Sequence, residues 1–67
     1  MSDLFKTTVE MIVERNGTSA LNKKQTAVEL NIGLTKIDEL LHNGELKFKK
    51  VGGQYRISAN TIAEMIA

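Results

Sequence analysis

The absence of cysteine from a chain of only 67 residues means that no disulfide bond can stabilise its fold. The single histidine, His42, cannot supply the three or four ligands that a structural zinc ion needs. Apolar residues make up 42% of the sequence and charged residues 25%, as in ordinary globular domains. We therefore expect one domain over residues 1–67, held together by one apolar core worth only about 3–5 kcal/mol.

The same composition argues against an enzyme, a membrane protein and an exported protein. One histidine, no cysteine and no glycine-rich phosphate loop leave little from which to build an active site. No apolar run approaches the roughly 20 residues that span a bilayer, and the first residues lack the basic and apolar regions of an export signal. We expect a cytoplasmic protein without catalytic residues, metal, cofactor or small-molecule substrate.

Positive charge is concentrated in one short segment of the chain. The net charge is only +1, but residues 47–57 carry +4 and residues 1–46 carry −2. The basic residues of the segment are Lys47, Lys49, Lys50 and Arg56. Such a patch is typical of a phosphate-binding surface. The alternative is a solvated hairpin face whose charge deters strand pairing with other molecules.

Capping residues and glycines divide the first half of the chain into three helices. Helix one is predicted over residues 3–15, capped by Ser2 and ended by Gly17. Helix two is predicted over residues 23–30, because Asn22 and Gln25 form the pattern of a capping box. Residues 18–20 are interpreted as a connector.

Helix three is predicted over residues 36–43, with Thr35 as its cap and Asn43-Gly44 as its end. Asp38 stands three residues after Thr35 and is interpreted as the partner of that cap. Helices two and three are joined by a tight turn, in which Asn31 ends one helix and Gly33 precedes the next. Two short helices joined in this way form a helix-turn-helix unit.

A β-hairpin is predicted to follow directly, because two alternating segments flank Gly52-Gly53. The turn pairs Val51 with Gln54 and, at the far end of the ladder, Phe48 with Ile57, and we expect a positive φ at Gly53. Apolar residues then face inward and basic residues outward, with the Lys50 stem lying along Tyr55. The inward residues are Leu46, Phe48, Tyr55 and Ile57, and the outward ones Lys47, Lys49 and Arg56. Ser58 is predicted to cap a last helix with Ile62, Met65 and Ile66 on its inward face.

The fold class expected from this order is mostly α with a small β-hairpin: a winged helix-turn-helix with an extra N-terminal helix. Its segments are residues 1–17, 21–46, 46–57 and 58–67, and the hairpin at 46–57 is the wing. From Leu21 to about Ile66 the sequence resembles the excisionase-like branch of the MerR-type winged-helix DNA-binding domains. The resemblance is carried by Leu21, Ala27, Leu30, Asn31-Ile32, Ile37, Leu40-Leu41, the segment 43–46 and, above all, the wing segment 51–57.

The resemblance implies that helix three enters the major groove of DNA while the wing lies along the minor groove or backbone. Small excisionases bend DNA and direct an integrase of a phage or mobile element toward excision, and some act as repressors. Double-stranded DNA is then the main partner, with an integrase or further copies of the chain as others. The predicted DNA-binding residues are Lys23, Lys24, Thr35, Lys36, Glu39, Asn43, Lys47, Lys49, Lys50, Gln54 and Arg56. Gly52 and Gly53 have a structural role in the wing turn.

Helix three departs from the family pattern. Its outward face carries Asp38 and Glu39, and carboxylates repel phosphate, although a carboxylate can accept a hydrogen bond from cytosine N4. Two alternatives to an excisionase therefore stay open: a small transcriptional regulator of a phage or mobile element, and a winged-helix module that binds or inhibits another protein through this acidic face. Helix one is expected to pack on its own domain, with a dimer contact as the alternative.

Overall fold

The computed structural model describes residues 3–66. The elements in chain order are α1 (Asp3–Asn16), β1 (Ala20–Leu21), α2 (Lys23–Leu30), α3 (Leu34–His42), β2 (Lys49–Val51), β3 (Gln54–Ser58) and α4 (Ala59–Ile66). The strands form an antiparallel sheet in the order β1-β3-β2. This arrangement confirms the predicted winged helix-turn-helix, and the proposed cap Ser2 lies outside the described residues.

Most helix ends are where the local sequence predicts them. Gly17 has a φ of 70° and its N–H donates to the Val13 carbonyl at 2.8 Å, which ends α1. At the start of α2, the Gln25 N–H donates to the Asn22 side chain at 2.7 Å, and the Asn22 N–H donates to the Gln25 side chain at 3.0 Å. Asn31 ends α2 in the left-handed conformation, with a φ of 57°. The predicted capping box and left-handed turn are confirmed.

The start of α3 differs from the prediction. The helix begins at Leu34, and its N-cap is Gly33, whose extended backbone has a ψ of 165° and makes no side-chain cap hydrogen bond. The Gly33 carbonyl already accepts the Ile37 N–H at 3.1 Å, so Thr35 lies inside the first turn and does not cap it. The cap assigned to Thr35, and the role of Asp38 as its partner, are wrong. Asp38 instead pairs with Lys23.

The wing has the predicted register at its tip. Lys49, Lys50 and Val51 pair with Arg56, Tyr55 and Gln54 respectively. Gly52 and Gly53 have φ values of 59° and 81°, and positive values at both central residues identify a type I′ turn. β2 begins only at Lys49, so Phe48 precedes the ladder instead of pairing with Ile57.

A third strand, β1, occupies the other edge of β3. Ala20 pairs with Ser58 and Leu21 with Ile57. The predicted connector, residues 18–20, therefore ends in a strand that continues to Leu21, and two residues are too few for the sequence to show the alternation of a strand. β1 ties the beginning of the helix-turn-helix unit to the base of the wing.

The core draws residues from all four helices, from β1 and β3, and from Leu46 before the wing ladder. The largest fully buried apolar side chains are Ile12, Leu21, Ile37, Leu46, Ile57 and Ile62. α1 packs against α4, which confirms that helix one packs on its own domain. No helix within residues 3–66 combines the length and apolar character needed to cross a membrane.

The inward face of α4 is only partly as predicted. Ser58 caps the helix, since its hydroxyl accepts the Thr61 N–H at 3.1 Å, and Ile62 is buried. Met65 and Ile66, however, are 45% and 48% exposed, whereas Ala59 and Ala63 are buried. The buried face of α4 therefore consists of Ala59, Ile62 and Ala63, and its C-terminal end is half-exposed.

Candidate nucleic-acid interface

The outer face of the wing, formed by Lys49, Val51, Gln54 and Arg56, carries two directly opposed cations. Lys49 and Arg56 are cross-strand partners, and like charges in this position destabilise a sheet. The Arg56 guanidinium is held by Gln54, to whose side-chain oxygen it donates at 2.6 Å. Within residues 3–66, no carboxylate forms an ion pair with either cation. The outer face therefore offers two positive charges that an anionic ligand can neutralise.

The inner face of the wing is built around Tyr55. The ring of Phe48 lies 4.8 Å from the Tyr55 ring, measured between centroids. Two ammonium groups lie near the Tyr55 ring: that of Lys50 is 5.3 Å from the ring centroid and that of Lys23 is 4.4 Å from it. Tyr55 is half-buried and packs against the core, whereas Phe48, predicted to face inward, is 41% exposed. Cations near an aromatic face gain a cation–π attraction.

The outward face of α3 is nearly neutral. Thr35, Lys36, Glu39 and Asn43 are all exposed, as expected of residues available to DNA. The Lys36 ammonium lies 3.5 Å from a Glu39 carboxylate oxygen, so the two charges offset each other. Asp38, on the same helix, pairs with Lys23 of α2, so both carboxylates of α3 face a lysine and, within residues 34–42, no cation is left unpaired.

Lys23 and Asp38 form an ion pair between α2 and α3, with Nζ and Oδ1 2.8 Å apart. The hydrogen bond from Lys23 to Asp38 is the main cause that raises the pKa of Lys23. Sequence reasoning did not find this pair, because residues 15 positions apart on different helices leave no periodic signal. The predicted phosphate contact of Lys23 has to compete with Asp38.

A cleft of about 700 Å³ lies between α3 and the inner face of the wing. It brings together four of the predicted DNA-binding residues with Asp38, His42 and the two aromatic rings. The four are Lys23, Thr35, Glu39 and Asn43. The cleft is open to solvent and lies between the two elements that the sequence predicts to contact DNA, helix three and the wing.

Two further depressions contain other predicted residues. One, of about 470 Å³, joins the start of α2 to the wing tip and is lined by Lys23, Lys24, Gln54 and Arg56 among others. The second, of about 630 Å³, runs along the outer face of the wing and includes Lys47, Lys49 and Arg56. The predicted residues thus lie on both faces of the wing and on the adjoining helices, instead of forming a single pocket.

Comparison with known proteins assigns the family. A family model described as a helix-turn-helix domain matches residues 20–67, which is more than half of the chain and includes α2, α3, the wing and α4 but not α1. Neither a curated protein nor a solved structure matches the chain. With two helices joined by a left-handed Asn31 and followed by a basic wing, the chain belongs to the helix-turn-helix domain family and is a DNA-binding domain.

Proposed function

We propose that the protein is an excisionase, an architectural factor that binds and bends double-stranded DNA and directs an integrase of a phage or mobile element toward excision. The main support for this proposal is the charge of the wing, where residues 47–57 contain four basic residues and no acidic one. The resemblance of segment 51–57 to excisionase-like domains supports the choice of excision. The protein acts in the cytoplasm in this proposal, without catalysis of its own.

In this proposal the wing provides most of the affinity and α3 contributes little charge. Lys49 and Arg56 reach phosphates from the outer face, and Lys50 reaches them from the inner face. Each neutralised phosphate releases counterions, so the affinity depends steeply on salt concentration. The Lys36–Glu39 pair offsets charge on α3, which leaves that helix to contribute hydrogen bonds.

The test of DNA binding is a salt titration on Lys49→Ala and Arg56→Ala. Each removes one phosphate contact, so each should flatten the slope of log affinity against log salt by about 0.9. Lys6→Ala is the matched control, because Lys6 is an exposed lysine of α1, outside the family match. An unchanged slope in both wing variants, with the fold intact by circular dichroism, would show that the wing does not contact the backbone.

A second experiment separates an excisionase from a transcriptional regulator. Duplexes from the flanks of the protein's own gene, labelled at both ends, report bending by energy transfer between the labels. We expect bending on these duplexes and excision when the integrase encoded nearby is added. Tight binding without excision would favour the regulator.

A further inference from the structure

Lys23 connects three elements of the DNA-binding surface at one point. It lies in the first turn of α2, and its ammonium is 2.8 Å from Asp38 on α3. The same ammonium is 4.4 Å from the ring centroid of Tyr55 on β3. From its position on α2, this one cation thus contacts both α3 and the wing.

The wing needs such a contact, because its tip has little else to hold it. All three residues of β2 are exposed, and so is Gln54 at the start of β3. Ile57, at the base of the wing, is fully buried and paired with Leu21. Between base and tip, Tyr55 and Arg56 are both half-buried, and Tyr55 is the one whose ring lies against the Lys23 ammonium of α2. The contacts of Tyr55 therefore help to set the direction in which the wing extends from Ile57 toward its tip.

We propose that Lys23 is a positioning residue that sets the angle between the wing and α3 by bridging Asp38 and Tyr55. The inference rests on the proposed DNA binding, since that angle decides whether the wing and α3 reach one duplex together. Asp38 has a role in this proposal as well, because its carboxylate on α3 holds Lys23 in place. Lys23 then acts through Tyr55 and does not contact phosphate itself.

The first test uses the free protein, so that it does not depend on DNA. Residual dipolar couplings of the backbone amides of residues 49–56, relative to those of the helices, report the wing angle. Lys23→Met keeps the apolar stem and removes the charge. Lys23→Arg keeps a cation that can pair with a carboxylate and stack on a ring. Asp38→Asn removes the charge with which Lys23 pairs. We expect altered wing couplings in Lys23→Met and Asp38→Asn, and couplings like those of the wild type in Lys23→Arg. Lys6→Met, on an exposed lysine of α1 outside the family match, is the control and should leave both the wing couplings and DNA binding unchanged.

The second test measures DNA affinity of the same variants over a range of salt. A positioning role predicts that Lys23→Met weakens binding about fivefold with little change in salt slope, and that Lys23→Arg restores it. A slope flattened by about 0.9 with unchanged wing couplings would mean that Lys23 contacts phosphate, and would overturn the inference. Altered couplings with unchanged affinity would overturn it too.

The two proposals fail separately. If the wild-type protein binds no DNA at low salt, the proposed function fails, while the couplings of the free protein still measure whether Lys23 sets the wing angle. If Lys23→Met leaves the wing couplings unchanged, the positioning role fails, while the effects of Lys49→Ala and Arg56→Ala on binding stand.

Discussion

At the level of single residues, the Glu29 side chain is held by two residues at the end of α1. Its carboxylate accepts two hydrogen bonds from the Arg15 guanidinium, at 3.0 and 2.6 Å, and one from the Asn16 amide at 2.9 Å. The Glu29 side chain is only 7% exposed. The hydrogen bond from Arg15 is the main cause that lowers the pKa of Glu29 below its ordinary value. These contacts join the end of α1 to α2.

Replacing Glu29 with glutamine should make the stability less dependent on pH. Because the pKa of Glu29 is lower in the folded state, its contribution is fully present above the unfolded pKa of about 4.3 and is lost as the pH falls through the folded value. We expect Glu29→Gln to lower the free energy of unfolding by about 1–3 kcal/mol at pH 7.

Urea unfolding at pH 7 and at successively lower pH measures this difference. It should shrink as the wild-type carboxylate becomes protonated. Glu14→Gln, at an exposed position of α1, is the control and should have little effect at any pH. A destabilisation by Glu29→Gln that stays constant down to acidic pH would contradict the prediction.

Gly53 is the residue on which the wing turn depends. Its φ is 81°, and a Cβ built at this position would meet no heavy atom within 4 Å, so a side chain is opposed by backbone conformation alone. We expect Gly53→Val to cost about 1–3 kcal/mol locally, to distort the wing and to weaken DNA binding while the helices stay folded. Gly52→Asn is the matched control, because asparagine tolerates the φ of 59° and Asn-Gly suits a type I′ turn.

Amide NMR spectra of both variants, recorded with DNA titrations, check this prediction. Shifts in Gly53→Val should be confined to the wing, and Gly52→Asn should bind DNA like the wild type. A wing spectrum unchanged by valine would show that Gly53 does not need its left-handed conformation.

At the scale of elements, the charge of α3 distinguishes DNA binding from a protein-binding role. Glu39 is exposed, and its carboxylate lies 3.5 Å from the Lys36 ammonium. The negative charge of Glu39 therefore repels phosphate and also neutralises the positive charge of Lys36. We expect Glu39→Gln to tighten binding to random duplex, because it relieves repulsion and frees Lys36. Stability should change little, since an exposed ion pair contributes only about 0–1 kcal/mol.

Binding of Glu39→Gln to random and native flanking DNA is the measurement, with Glu10→Gln on α1 as the control. If Glu39 accepts a hydrogen bond from a cytosine, Glu39→Gln should instead weaken binding to the specific site by about 1–3 kcal/mol and leave binding to random DNA unchanged. Unaltered affinity for both duplexes at every salt concentration would favour the protein-binding alternative.

At the scale of the whole molecule, α1 lies outside the family match yet contributes Ile12 to the core. We expect Ile12→Ala to lower the free energy of unfolding by about 2–5 kcal/mol, because it leaves a cavity next to α4. Met11→Ala is the neighbouring control, since Met11 is 49% exposed, and should cost less than about 0.5 kcal/mol.

Urea unfolding followed both by circular dichroism and by fluorescence of the single tyrosine, Tyr55, tests this expectation. The two probes should give coincident transitions at lower urea for Ile12→Ala. Loss of helix signal while the signal of Tyr55 stays native would mean that α1 unfolds separately from the rest of the fold.

The sequence by itself determined the features that depend on neighbouring residues. The capping box at Asn22, the left-handed end at Asn31 and the wing turn at Gly52-Gly53 each involve hydrogen bonds or backbone conformations spanning a few residues, and each was predicted correctly. The position of the turn then predicted three cross-strand pairs correctly, those of Lys49, Lys50 and Val51 with Arg56, Tyr55 and Gln54.

Only the tertiary structure decided the features that join distant parts of the chain. β1 is a strand because β3 offers it a free edge, and Met65 stays half-exposed while packing against other elements buries Ile62 and Ala63. The ion pair of Lys23 with Asp38 arises where α2 and α3 are brought together, 15 residues apart. Periodicity reveals only that a side chain lies on a given face of its own element, whereas its partner is selected by how all the elements pack.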